Sequence, residues 1–214
     1  FTILRSGHKV ITCPKEELDR ASFARHMTGR DFDEERYQPG DITGAPILQV
    51  EGATVAGAFA DASLSVRPGE ILGITGLLGS GRTELAMSLF GMLPLDSGRI
   101  RVKGQDVNLR GVRDAIAAGI AYVPEDRLTE GLFLSRSIGE NITISEMESF
   151  TKALGFIDKK AIRDEEKKWV KRLDVVTPDP ANAVNTLSGG NQQKVVLAKW
   201  LATKPSVLIL NGPT

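Results

Sequence analysis

The stretch GLLGSGRT, residues 76–83, most constrains how this chain of 214 residues can fold. It fits G-x-x-x-x-G-[K/R]-T, with Gly76 and Gly81 at the fixed spacing and Thr83 closing the run. Glycines there let backbone N–H groups turn inward onto phosphate oxygens, and a helix starting at Gly81 adds the positive end of its dipole. Such a loop needs a strand before it and a helix after it. The sequence predicts both. EILGIT is a short apolar run, and ELAMSLF places Leu85 and Leu89 on one helical face before Gly91 and Pro94 end it. Thr83 would offer its hydroxyl to Mg2+. Arg82 stands where lysine is usual; its guanidinium keeps the charge but is planar and bulkier, so it need not reach the same phosphate. A Gly-rich turn without a ligand is the competing reading, and the strand–loop–helix context weighs against it.

Strands alternate with helices on both sides of this loop, which implies an α/β domain with a mainly parallel core sheet. FTILRSGHKVIT, residues 1–12, reads as two short strands around a Ser-Gly-His turn. Residues 14–29 read as a helix opened by Pro14 and stopped by Gly29. Residues 30–46 are charged and then rich in Pro and Gly, the texture of a linker. ILQVEGATV and GAFADASLSV are strand-like, SGRIRVKGQDV is a strand-turn unit, and GIAYVPEDR is a strand that stops at Pro124. Residues 135–173 read as mostly helical, with a capping box from Ser137 to Glu140. There Trp169, Val170 and Leu173 share a face and RDEEKK forms the solvated side. Ser188 to Ala202 is a further helix and VLIL the last strand.

Hydrophobic content of 41% and charged content of 25% are those of a folded globular chain. Lys+Arg and Asp+Glu number 27 each, which supplies no strong drive towards nucleic acid or acidic membrane surface. No apolar run reaches the roughly 18 residues of a bilayer span, and no signal peptide is evident. The single cysteine, Cys13, cannot form an internal disulfide and suits a reducing compartment. Starting at Phe1 and stopping at a strand edge, the sequence reads as a fragment.

A second Gly motif lies in TLSGGNQQKVVLAKWLATKP, residues 186–205. Ser188 can cap the helix, while Gly189 and Gly190 leave its first amides open to an anion. Alone this is an ordinary capped helix; its place after the phosphate loop and just before VLIL points to a ligand. LSGGNQQK, GLLGSGRT and VLILNGPT together resemble the signature, Walker A and Walker B motifs of the ATP-binding cassette (ABC) family. The arginine in GxxGSGRTEL, Glu125 of YVPEDR at the Q-loop, and the NQQK continuation are similar to one branch in particular. That branch is the second cassette of double-cassette importers for monosaccharides such as ribose, galactose and xylose. The resemblance covers essentially the whole chain. It implies a P-loop NTPase cassette with a mainly parallel core, an antiparallel β subdomain and a helical signature subdomain at about 126–186. Residues 1–29 would be the tail of a preceding cassette, 30–46 a linker, and 47–214 the second cassette, truncated after Walker B.

The resemblance also implies ATP and Mg2+ as ligands, held between two cassettes that face each other head to tail. Closure on ATP would drive a membrane permease and hydrolysis would reset it. Gly76, Gly79, Ser80, Gly81, Arg82 and Thr83 would hold phosphates and metal. Leu187, Ser188, Gly189, Gly190 and Gln192 would meet the ATP of the other cassette. Glu125 would lie near the metal and the permease-coupling helices. Phe59 is the candidate for stacking on adenine, with a core role as the other reading. Implied partners are the other cassette, the permease and, indirectly, a periplasmic sugar-binding protein, with no nucleic acid. The implied place is peripheral, on the cytoplasmic face of the inner membrane.

The departures from the family pattern fall at VLILNGPT. Asn211 stands where an aspartate organises Mg2+, and could share the metal with Thr83 only weakly. Gly212 stands where a glutamate polarises water, and cannot act as a base. No catalytic residue is therefore assigned, and neither His8 nor His26 is placed to serve as a switch histidine. The expectation is a site that binds nucleotide and hydrolyses it poorly, with an intact signature serving the other cassette. A non-catalytic nucleotide-sensing or dimerisation module is a second reading. A cassette ATPase of DNA repair or translation is a third, which zero net charge and the PEDR and NQQK features weigh against.

Overall fold

The computed structural model describes residues 1–5, 7–29, 40, 42–152 and 155–212. Contacts divide the chain into two units, residues 1–41 and 42–214.

In the first unit, β1 (Thr2–Arg5) and β2 (His8–Thr12) form an antiparallel hairpin in which Ile3 faces Ile11. Ile3 and Cys13 are its buried apolar residues. The helix expected from residue 14 is split. A short 3-10 turn at Lys15–Glu17 gives way to extended backbone at Leu18, and α1 (Arg20–Thr28) starts afresh. Asp19 causes the restart: its carboxylate accepts the N–H of Ser22 at 2.6 Å, making it an N-cap where the pattern suggested mid-helix. Gly29 ends α1 in the left-handed region, as expected. The predicted linker lies largely outside the described residues.

The second unit opens with β3 (Leu48–Val55) and β4 (Phe59–Val66). With β5 (Ser97–Val102) and β6 (Gln105–Val107) they form an antiparallel sheet in the order β4-β3-β5-β6. Leu48, Val50, Ala53 and Val55 of β3 and Ile100 and Val102 of β5 bury one face. Gly98 has φ 104°, and a Cβ there would lie 2.5 Å from Ala53 Cα, so only glycine lets the two strands meet.

Between the strands run α2 (Arg82–Leu89) and, later, α3 (Val112–Ala117). Leu85 and Leu89 are buried, as their spacing predicts. β7 (Ile120–Val123), buried at every residue, pairs in parallel with β8 (Val207–Leu210), from Ile120 opposite Val207 to Val123 opposite Leu210. This pair is a separate two-stranded sheet, the parallel one among the described residues. The strand expected at EILGIT does not form: residues 71–77 lie outside any ladder, and Ile71 and Ile74 are 71% and 51% exposed. An apolar run encodes a need for burial, whereas a ladder needs a partner brought from far along the chain.

The helical part comprises α4 (Ile138–Thr143), a 3-10 run at Ile144–Phe150, α5 (Lys159–Arg172) and α6 (Gly189–Ala202). The expected capping box is present: Ser137 Oγ accepts Glu140 N–H and Glu140 accepts Ser137 N–H. Buried Asn141 accepts the N–H of Phe133 and donates to the carbonyls of Phe133 and Ser137, which fixes the entry to α4. Trp169 of α5 is buried and Val170 and Leu173 pack on the same core. The face expected to be solvated is not wholly so, because half-buried Glu165 accepts the indole N–H of Trp169 at 2.8 Å.

Phe90, at the end of α2, stacks on Tyr122 of β7 at 5.4 Å and meets Trp200 of α6 edge-on at 5.1 Å. These rings join the loop-bearing helix, the parallel strands and α6 in one core.

Candidate functional site

The phosphate-type loop is built by steric exclusion. Ser80 N–H closes a turn onto Leu77 O at 3.1 Å, and Gly79 and Gly81 take φ of 77° and 83°. Gly81 is buried against the start of β4: a Cβ there would lie 2.6 Å from Ala58 O and 2.9 Å from Phe59 Cβ. Phe59 is thus brought beside the loop while also packing on the core, so both readings of it keep a structural footing. A Cβ on Gly76 would run into the Ser80 side chain. Gly81 is the N-cap of α2 and carries no side-chain cap, so the first-turn amides of this helix have no side-chain acceptor. Those amides, with the helix dipole, are a phosphate-binding arrangement.

Arg82 is exposed and its Nη1 donates to Gly76 O at 3.1 Å, a strap across the loop from its last turn to its first. Thr83 is half-buried in the first turn of α2, and Ser80 is exposed. The loop tip, Leu77 and Leu78, is almost fully exposed.

The exits of β7 and β8 lie side by side. Asn211 extends the ladder by one bond, its N–H donating to Val123 O at 2.9 Å. Its side chain is 8% exposed and turned inward, with Nδ2 donating to the phenol oxygen of Tyr122 at 3.1 Å. Burial pushes the Tyr122 hydroxyl up from its ordinary range, the Asn211 bond opposes this, and Glu130 and Glu125 add to the rise. The amide nitrogen of Asn211 therefore holds a core phenol. Its carbonyl oxygen is all that this residue could offer a metal. Gly212 has φ 58°, and a Cβ there would lie 3.0 Å from Glu125 Cγ. Exposed Glu125 is the carboxylate at these two strand ends. The donor set suits the phosphates of a nucleotide well and Mg2+ less well. Thr83 Oγ, Asn211 Oδ1 and Glu125 are the oxygens that could hold the ion.

At the second motif, Ser188 occupies the N-cap position of α6 by conformation, with φ −63° and ψ 157°. Its hydroxyl does not cap an amide, as the sequence suggested it could; it accepts from Asn191 Nδ2 at 3.1 Å. Ser188, Gly189 and Gly190 are exposed and Leu187 is half-buried. Gln192 is buried instead, donating to Val184 O and accepting from Arg127 Nε, both at 3.4 Å. It holds the motif from behind.

Sequence reasoning missed three residues here. Arg127 lies against Gly189, where a Cβ would come within 2.8 Å of its Nη2. Lys199 of α6 is buried and donates to Gly131 O at 2.5 Å. Together they fasten the turn after β7 to α6. Tyr122 is the third. Both Tyr122 and Arg127 stand in YVPEDR, but that string gives no hint of their partners.

A glycine-shaped loop at an uncapped helix, joined through one core to paired strands and a second exposed Gly-Gly helix start, defines a P-loop nucleotide-binding cassette. The ABC transporter family model matches residues 59–214, and the chain belongs to that family. It is 42% identical over 214 residues to the ribose import ATP-binding protein RbsA of Bacillus licheniformis, covering 100% of this chain and 43% of that protein. It is equally 42% identical over 218 residues to a putative ribose/galactose/methyl galactoside import ATP-binding protein of Rhizobium etli, covering 100% of this chain and 41% of the relative. The chain thus spans less than half the length of these curated relatives. Its structure resembles a nucleotide-free ATP-binding cassette from an ABC transporter, with TM-score 0.66 and 22% identity, over 79% of this chain and 70% of that one. At that identity the likeness is one of fold.

Proposed function

We propose that this chain is part of the ATP-binding component of a monosaccharide importer. Its phosphate loop binds ATP, and its LSGGNQQK segment closes over ATP held by another cassette. The observation that carries this is the pair of helix starts without side-chain caps, Gly81–Thr83 on α2 and Ser188–Gly190 on α6, linked by a single core. The relatives' names supply the cargo class. In this reading the amides of residues 79–83 hold the phosphates, Arg82 neutralises them, and Thr83 faces Mg2+. Ser188, Gly189 and Gly190 reach the terminal phosphate across the cassette interface. Mg2+, when bound, would offset charge on the phosphates.

Among the described residues no helix is long and apolar enough to cross a membrane. We place the permease contact on the exposed groove lined by Phe133, Arg136, Glu140, Ile144 and Met147. With Asn211 engaged by Tyr122 and no side chain at position 212, hydrolysis at this site is slow; lack of a base lowers a rate by about 10²–10⁴-fold. The same two residues favour a second reading, a nucleotide-binding module that closes and opens without turnover.

Titration with a fluorescent ATP analogue, with and without Mg2+, tests the binding half: saturable binding is expected, and none would refute it. Ser188→Arg in the full-length protein tests the signature. Steady-state ATPase should collapse, and unchanged turnover would remove the role assigned to this segment.

A further inference from the structure

One stripe of α6 is given over to the turn that follows β7. Gly189, Gln192, Val196 and Lys199 recur at intervals of three, four and three residues, so they lie along one side of the helix. All four meet the π-helical turn Arg127–Gly131. The Arg127 guanidinium lies over Gly189, where a Cβ would come 2.8 Å from Nη2 and 3.5 Å from Cζ. Its Nε donates to Gln192 Oε1 at 3.4 Å. A Cβ on buried Gly131 would stand 3.1 Å from Val196 Cγ2 and 3.4 Å from Arg127 Cβ, so the turn lies flush on the helix. Lys199 closes the stripe by donating to Gly131 O.

The turn carries its own shape. Asp126 Oδ1 accepts the N–H groups of Leu128 at 2.8 Å and Thr129 at 3.4 Å, and Asp126 O accepts Glu130 N–H at 3.1 Å. These bonds fix the backbone from which Arg127 projects. The Lys199 end of the stripe is buried, whereas Gly189 at the other end is exposed and Arg127 half-buried. At that exposed end the Ser188 hydroxyl caps no amide. Two side chains hold the helix start from different sides. Asn191 accepts Val176 N–H at 2.9 Å, and Gln192, which also donates to Val184 O, accepts from Arg127. Loss of one hold leaves α6 folded but free to shift at its first turn.

We propose that Arg127 is a positioning residue for the signature segment: seated on Gly189 and bonded to Gln192, it sets where the amides of Gly189 and Gly190 lie. This rests on the reading that residues 188–190 meet ATP held by another cassette. Arg127 acts through those amides and does not itself touch the nucleotide. Displacing a group that meets the reacting phosphate by about 1 Å costs a rate on the order of 10²-fold. Binding at this cassette's own loop, residues 76–83, does not depend on that placement.

The test compares full-length wild type with Arg127→Met, Gln192→Met, the double variant and Arg127→Lys. Steady-state kcat and KM, affinity for a fluorescent ATP analogue and Tm are measured. Arg127→Met should lower kcat about tenfold or more while KM and affinity stay within about twofold. The double variant should be no slower than the slower single, because both substitutions break one contact. Arg127→Lys should also be slow, since an ammonium lacks the planar fork that spans Gly189 and Gln192; this variant decides the matter if Arg127→Met does not fold. A fall in kcat of less than about threefold in folded Arg127→Met would overturn the proposal. Losses that multiply in the double variant would overturn it in favour of a direct contact with nucleotide, and full rate in Arg127→Lys in favour of charge alone. Ser188→Arg serves as the control: unchanged turnover there would sink the reading on which the proposal stands, whereas its collapse beside a full rate in Arg127→Met would sink the proposal only.

Discussion

Lys199 offers the most quantitative test of the packing around the signature helix. It is 5% exposed, donates to Gly131 O and lies 5.0 Å from the centre of the Trp200 ring. Burial alone holds its amine down from 10.5 to about 8. At 1.36 kcal/mol per pH unit, that difference is worth about 3 kcal/mol. The folded value lies below the unfolded one, which sets the sign. Below about pH 8 both states hold the proton and the fold bears the full cost of a desolvated cation. Between about 8 and 10.5 only the unfolded state stays protonated, so stability rises with pH. Lys199→Met removes that slope. It also leaves Gly131 O without its donor, at about 1–3 kcal/mol, but this cost does not vary with pH and cancels from the comparison. Urea unfolding followed by emission of Trp169 and Trp200, both in residues 42–214, measures it. From about pH 7 to 9.5 the stability difference should move by about 2 kcal/mol in favour of wild type. A difference that stays constant would show that the amine is not desolvated.

Three further outcomes are expected. Tyr122→Phe strips the buried Asn211 amide of its acceptor, which costs about 1–3 kcal/mol and lowers Tm by about 2–4 °C per kcal/mol in calorimetry; an unchanged Tm would mean the contact does not form. Gly81→Ala drives a methyl into Ala58 O at a left-handed residue, strain on the order of 1–3 kcal/mol that weakens ATP-analogue binding about tenfold while circular dichroism stays native. Ser137→Ala removes a cap worth about 1 kcal/mol, read as a lower Tm at neutral pH. The backbone N–H and hydroxyl of Ser137 hold the Glu140 carboxyl below its ordinary range, so the gap between wild type and variant should narrow as pH falls through that range.

What the sequence disclosed was local chemistry. Glycine spacing gave the loop and the second helix start, because left-handed backbone and uncapped amides follow from a few adjacent residues. Ser137 and Glu140 announced their box for the same reason. What stayed hidden depends on partners far along the chain. Whether EILGIT joins a ladder rests on which strand end reaches it. The inward turn of Asn211 rests on a phenol in another strand, and the burial of Gln192 on Arg127. The overlap of Glu125 with Gly212 is a product of parallel register that neither PEDR nor LNGPT reveals. Asp19 was legible in principle, since an acid three residues before Ser22 is an N-cap pattern; Pro14 drew attention to the wrong start.

β8 pairs with β7 along one side, and among the described residues no strand covers its other side. Leu210 there is 46% exposed, and the apolar residues of 71–74 stand outside any ladder. A strand edge without a neighbouring strand is a template on which another polypeptide can add one. In a concentrated preparation the first chain to arrive is a second copy. If that edge recruits a second copy, light scattering should rise with concentration under conditions where emission still reports a native core; scattering that stays flat would show that the edge does not recruit.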